Sequence, residues 1–130
     1  MSANEKILKA LKTAETSLEN SIAALNKKDE SAFADSVWHA ADELEYALFL
    51  FSLTFQDEGS KTKLKPNPEL KKMDTHSLLA EAQNLLNAAE RYMSNKKQQS
   101  SYKDAYVARH YVLRVQEDLA KKRREAFKKK

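Results

Sequence analysis

The chain has no cysteine, one glycine and two prolines in 130 residues. Without a thiol there can be no disulfide framework, no thiolate nucleophile and no thiolate-held metal. A single glycine cannot build a glycine-rich loop around a phosphate. So few helix breakers, beside abundant Ala, Leu, Lys and Glu, indicate an all-α protein. Long apolar runs are missing as well. The most apolar stretch, Tyr46-Ala-Leu-Phe-Leu-Phe-Ser-Leu-Thr-Phe55, is half the roughly 20 residues a membrane helix needs, and Asp42, Glu43 and Glu45 lie just before it. No stable membrane insertion is expected. The start, Met1-Ser-Ala-Asn-Glu-Lys, carries no apolar signal core, so a cytoplasmic location is expected.

What the chain does have is helical periodicity. Ile7, Leu11, Ala14, Leu18, Ile22 and Leu25 step by four and three, which predicts a helix over 3–26. The polar turn 26–31 follows, with Asp29 placed to cap the next helix; so short a link makes helices one and two antiparallel neighbours. Phe33, Val37, Ala40, Ala41, Leu44, Leu48, Phe51 and Phe55 form the stripe of helix two. A long irregular stretch, 56–73, holds the only glycine, both prolines and Lys61, Lys63, Lys65, Lys71 and Lys72. It reads either as a crossover across the end of the bundle or as a binding loop. Asp74 or Thr75 caps helix three, whose stripe is Leu78, Leu79, Ala82, Leu85, Leu86, Ala89, Tyr92 and Met93. The link 94–101 has no apolar residue and is expected in water. Helix four runs from about Tyr102 on Ala105, Ala108, Val112, Val115 and Leu119, flanked by Tyr102, Tyr106 and Leu113. No internal repeat is evident. The expected fold is an all-α, antiparallel up-and-down four-helix bundle over 1–120, with a long loop between helices 2 and 3. Residues 121–130 form a basic tail that continues helix 4.

Three surfaces invite a functional reading. The first is the tail, which holds seven of the 23 basic residues and one of the 19 acidic ones; the remainder is a near-neutral bundle. Lys121, Lys122, Arg123, Arg124, Lys128, Lys129 and Lys130 are candidate contacts to RNA or another polyanion, although lysines at a helix C-terminus also suit its negative dipole. The second is an apolar outer patch on helix two. Trp38, Phe49, Leu50 and Leu53 lie off the main stripe and need cover from the following loop or from a second subunit; the reading favours a homodimer. The third is a polar strip, Asp35, His39, Asp42 and Tyr46, spaced by four, three and four. It could hold a cation or a carboxylate-oriented base, or be an ordinary solvated face. The residues three before His39, His76 and His110 are Ser36, Met73 and Val107, so the Glu-x-x-His of di-iron bundles is absent. No metal site and no cofactor are expected. His110 points away from its helix's main stripe and is expected in solvent, and Arg109, His110 and Arg114 form a small basic group that could meet phosphate.

Three segments resemble the HEPN superfamily of small helical domains. Lys28-Asp-Glu-Ser-Ala-Phe-Ala-Asp-Ser-Val-Trp-His-Ala-Ala-Asp-Glu-Leu-Glu-Tyr-Ala-Leu48 is similar to its second helix. Thr75-His76-Ser77-Leu78-Leu79 resembles its Thr-His-x-Leu at the start of the third. Ser101-Tyr102-Lys103-Asp104-Ala105 resembles its Tyr-Pro-Asp-Ala before the last, with Lys103 where proline is usual. The resemblance implies an antiparallel bundle that often dimerises and, in many members, acts on RNA through Arg-x4–6-His. That motif fails here, because Arg109 adjoins His110, Arg114 follows it, and no histidine lies four to six residues beyond an arginine. The resemblance therefore implies a non-catalytic member. The expected function is a non-catalytic binding or accessory module associated with RNA or another nucleic acid through the tail. The alternatives are a cofactor-, nucleotide- or metal-binding enzyme using the polar strip, and a pure assembly subunit.

Overall fold

The computed structural model describes residues 2–54 and 73–128, with 127 and 128 described as backbone. Four helices fill these segments: α1 (Ala3–Asn26), α2 (Glu30–Thr54), α3 (Thr75–Ser94) and α4 (Gln98–Lys128). Three of the four starts have a local cause. Ser2 accepts a hydrogen bond from the Glu5 N–H at 3.2 Å, Asp29 from Ala32 at 3.1 Å and Asp74 from Ser77 at 2.7 Å. Each cap satisfies an N–H that the helix cannot, a contribution of about 1 kcal/mol. At Asp74 the same N–H holds the carboxyl below its usual range.

The two helix hairpins turn in the same way. After α1, Lys28 donates to the Leu25 carbonyl and Asp29 to that of Ala24, while Lys28 takes φ 59°. After α3, Lys96 donates to Met93 and Lys97 to Tyr92, while Lys96 takes φ 62°. This is the Schellman closure, in which a left-handed residue redirects the chain and satisfies the last carbonyls. A lysine fills that place in both turns, although glycine would fit it without strain.

Within the core, α1 packs on α2 and α3, and α4 packs on α3 and α2. Gln98, at the head of α4, donates to the Asn4 side chain at the head of α1 at 2.7 Å, so α3 ends where α1 begins. The Phe51 ring meets Tyr102 edge-on at 5.5 Å, and Arg109 reaches Glu45 at 2.7 Å, so α2 and α4 also run oppositely. Every neighbouring pair is antiparallel, as expected, and the long loop does separate α2 from α3. The up-and-down order is modified at that one point. α2 and α3 run in the same direction, which leaves Thr54 and Thr75 at opposite ends of the bundle. The crossover expected across the end of the bundle lies between these two points, outside the described residues. Residues 55–72, including Phe55, the loop lysines and both prolines, lie outside the described residues.

The expected stripes are the core. Ile7, Leu11, Leu18, Val37, Leu44, Phe51, Leu78, Leu79, Leu86, Val112 and Val115 are almost wholly buried. Alanines at 10, 14, 40, 47, 82, 89, 105 and 108 are buried among them and let the helix axes approach closely. Two expectations are corrected. Leu50 is 9% exposed and belongs to the core, because its position between Ala47 and Phe51 puts it at the edge of the buried face, not outside. Ser101 does not lie in a watery link. It is fully buried in the first turn of α4, where its hydroxyl donates to the Ala89 carbonyl of α3 at 2.8 Å. Glutamine and serine at 98–101 read as loop by polarity, yet they form helix because this bond replaces water.

Candidate functional site

The basic tail is a helix that outruns its neighbour. The bond from Ser101 to Ala89 sets α4 level with α3, so α3 begins opposite about residue 115. From there α4 continues to Lys128, a projection on the order of 20 Å. Residues 121–126 are exposed, and Lys121, Lys122, Arg123 and Arg124 join no ion pair among the described residues. α2 still accompanies this segment, since the Phe51–Tyr102 and Glu45–Arg109 contacts place its first residue opposite about residue 123, so the exposed cations stand on the sides of α4 that α3 and α2 leave open. The side chains of Phe127 and Lys128, and all of Lys129 and Lys130, lie outside the described residues.

The smaller basic group does not form an anion site. Arg109 is committed to Glu45, and Arg114 lies 3.7 Å from both Glu117 and Asp118 of its own helix. His110 is not in solvent, contrary to expectation. Its ring packs edge-on against Tyr106 at 4.8 Å, and its Nε2 is buried without a hydrogen-bond partner. Burial, reinforced by the adjacent Arg109 charge, lowers its pKa, so the ring is a neutral packing group.

The polar strip and the apolar patch on α2 occupy one face. Asp35, His39 and Asp42 are exposed on the first half of the helix. Trp38, Tyr46, Phe49 and Leu53, each about half exposed, are all the large apolar side chains that stand out among the described residues. The face is acidic and polar near the start of α2 and aromatic near its end. Among the described residues no set of three His, Asp or Glu is arranged to hold a metal ion. Nor is any helix among the described residues long and apolar enough to cross a membrane.

A further surface has no single motif behind it. Between α1 and α3 runs an open groove of about 790 Å³, walled by Lys12, Asn84, Asn87, Glu90 and Arg91, with Leu8 its one apolar lining residue. A smaller depression along α1, past Glu5, Lys9, Thr13 and Thr16, shares Leu8 and Lys12 with it. Inside the groove, desolvation and a hydrogen bond with Glu15 push the Glu90 carboxyl up to about 8, against a smaller opposing effect of Lys12. Each wall is the ordinary polar flank of an amphipathic helix. Only the pairing of α1 with α3 makes them one site, and that pairing was not readable from helical periodicity.

No protein-family model, curated protein or solved structure matches the chain.

Proposed function

We propose that the protein is a non-catalytic, HEPN-like helical module that binds RNA or another polyanion through the basic end of α4, as an accessory to a larger activity. The observation that carries this reading is the projection of α4 beyond α3, with the exposed cations Lys121, Lys122, Arg123 and Arg124 near its end. A strand tracking such a segment releases counterions as its phosphates are neutralised, which makes affinity fall steeply with salt. The HEPN-like segments support the same reading, and the missing Arg-x4–6-His makes it a binding role, not cleavage.

Fluorescence anisotropy with a labelled single-stranded RNA tests it, comparing the whole chain with one ending at Ala120 at two salt concentrations. The expected result is binding by the whole chain with a salt slope of roughly −5 if all seven tail charges engage, and a much shallower slope after truncation. Equal binding by both forms would remove the tail from the interface.

A second reading, homodimerisation through the outer face of α2, rests on a separate observation. Trp38, Tyr46, Phe49 and Leu53 expose apolar surface on one helix face, as protein contact sites do. Under this reading the module is an assembly subunit, and the tail is a second contact.

A further inference from the structure

We propose that the groove between α1 and α3 is a second contact surface for the same partner, gripping the sugar-phosphate backbone of a single RNA strand. This rests on the RNA reading of the basic tail but uses other residues, on the first helix of each hairpin.

Three properties of the groove lead there. Its walls offer the groups that contact phosphate and ribose: the Lys12 and Arg91 cations, and the side-chain amides of Asn84 and Asn87. One apolar residue, Leu8, among its eight lining residues is too little for a small-molecule cleft, which needs a mostly apolar, enclosing wall. An extended strand makes no such demand, since its backbone stays partly in water. Lastly, the groove is continuous with the Glu5, Lys9, Thr13 and Thr16 depression through Leu8 and Lys12, so the polar track runs lengthwise along α1 instead of ending as a pit.

Two carboxylates stand against an anion on this track, Glu90 in the groove and Glu5 in the adjoining depression; Glu90 is the one set between the two helices. It faces Glu15 and Lys12 of α1, with Arg91 beside it on α3. Burial and the Glu15 carboxylate keep it protonated up to about pH 8, so near neutrality it is a hydrogen-bond donor and not a negative charge. Above that pH it ionises beside Glu15, and the groove loses its fit to a phosphate. A strand held here therefore carries a pH signature that the tail cannot give, because lysine and arginine do not titrate below about pH 10.

The experiment is RNA anisotropy on the whole chain, on Lys12→Gln/Arg91→Gln, on Glu90→Gln and on Asn87→Ala, at pH 7 and pH 9. All four changed side chains stand at the groove surface, and circular dichroism verifies the fold. Removing two phosphate contacts should make the salt slope shallower by about 1.4. Asn87→Ala should weaken binding at an unchanged slope, since it removes a hydrogen bond and no charge. Wild-type binding should weaken from pH 7 to pH 9, and Glu90→Gln should abolish that loss. Unchanged affinity and slope in the double variant, with the whole chain still binding, would overturn the groove and leave the tail reading intact. No binding by the whole chain would overturn both.

Discussion

The two hairpins share a frame and differ in what they show to solvent. Each ends its first helix with a lysine in the left-handed conformation and the same pair of closing hydrogen bonds. Their second helices, α2 and α4, then diverge. α2 turns outward an aromatic face, with Phe49 56% exposed only two residues from the fully buried Phe51. Among the described residues α4 shows no exposed apolar side chain of comparable size, and it extends a cationic end beyond α3. Turns and alanine-lined seams hold the frame, so the outer faces are free to carry different chemistry.

The sharpest way to break that comparison is to truncate the two phenylalanines separately. Phe51→Ala removes a wholly buried ring that also meets Tyr102 and should cost about 3–5 kcal/mol in urea unfolding. Phe49→Ala should change the stability of the single chain by less than about 0.5 kcal/mol. Under the dimer reading it should still shift the protein toward monomer in light scattering. Trp38, the only tryptophan, reports this independently: its emission should move to the red on dilution of the native protein and stay fixed in Phe49→Ala. A native protein that is monomeric at every concentration would show that α2's outer face does not pair with itself.

The turns offer a smaller and opposite effect. Lys28 and Lys96 occupy a backbone region that disfavours a Cβ. Lys28→Gly and Lys96→Gly should each raise unfolding stability by about 0.5–1 kcal/mol, the relief of strain being offset in part by the freer unfolded chain. The two sites lie at opposite ends of the bundle, so their effects should add. If only one substitution stabilises, the two hairpins do not share one turn energetically, however alike their hydrogen bonds.

The helices were legible because their signals are local. The α1 bounds, the Asp29 and Asp74 caps and all four stripes follow from spacing and cap chemistry within a turn or two of chain. What was not legible depends on neighbours. Leu50 and Ser101 sit at the borders of their helices' buried faces, and whether such a position is covered is decided by the helix alongside. His110 reads as solvated by its angle to the α4 stripe and Arg109 as part of a group that could meet phosphate, yet Tyr106 covers one and Glu45 engages the other. The order of helices around the bundle, with α3 beside α1 and α4 beside α2, is a property of the long connection, and no periodicity encodes it. The tail could be read as charge from sequence alone, but its projection required the relative lengths of α3 and α4. The α1–α3 groove had no sequence signal at all.

The seam between the hairpins supplies the smallest effect and the one with the clearest sign. Glu90 of α3 shares a hydrogen bond with Glu15 of α1, and its folded pKa is raised from 4.5 to about 8, chiefly by desolvation. Between those values the folded protein holds a proton that the unfolded chain has released, so stability falls as pH rises through that window and levels off above it. The carboxyl is only half buried, and solvent screening keeps the effect well below that of a core substitution. Glu90→Gln keeps a hydrogen-bond donor to Glu15 at every pH. Chemical unfolding of this variant should show a flatter stability profile from pH 5 to pH 8.5, with its gain over the native chain largest at the alkaline end. A native profile that rises across that range would mean the α1–α3 seam does not hold the proton, and the alkaline weakening expected of the groove would then lose its cause.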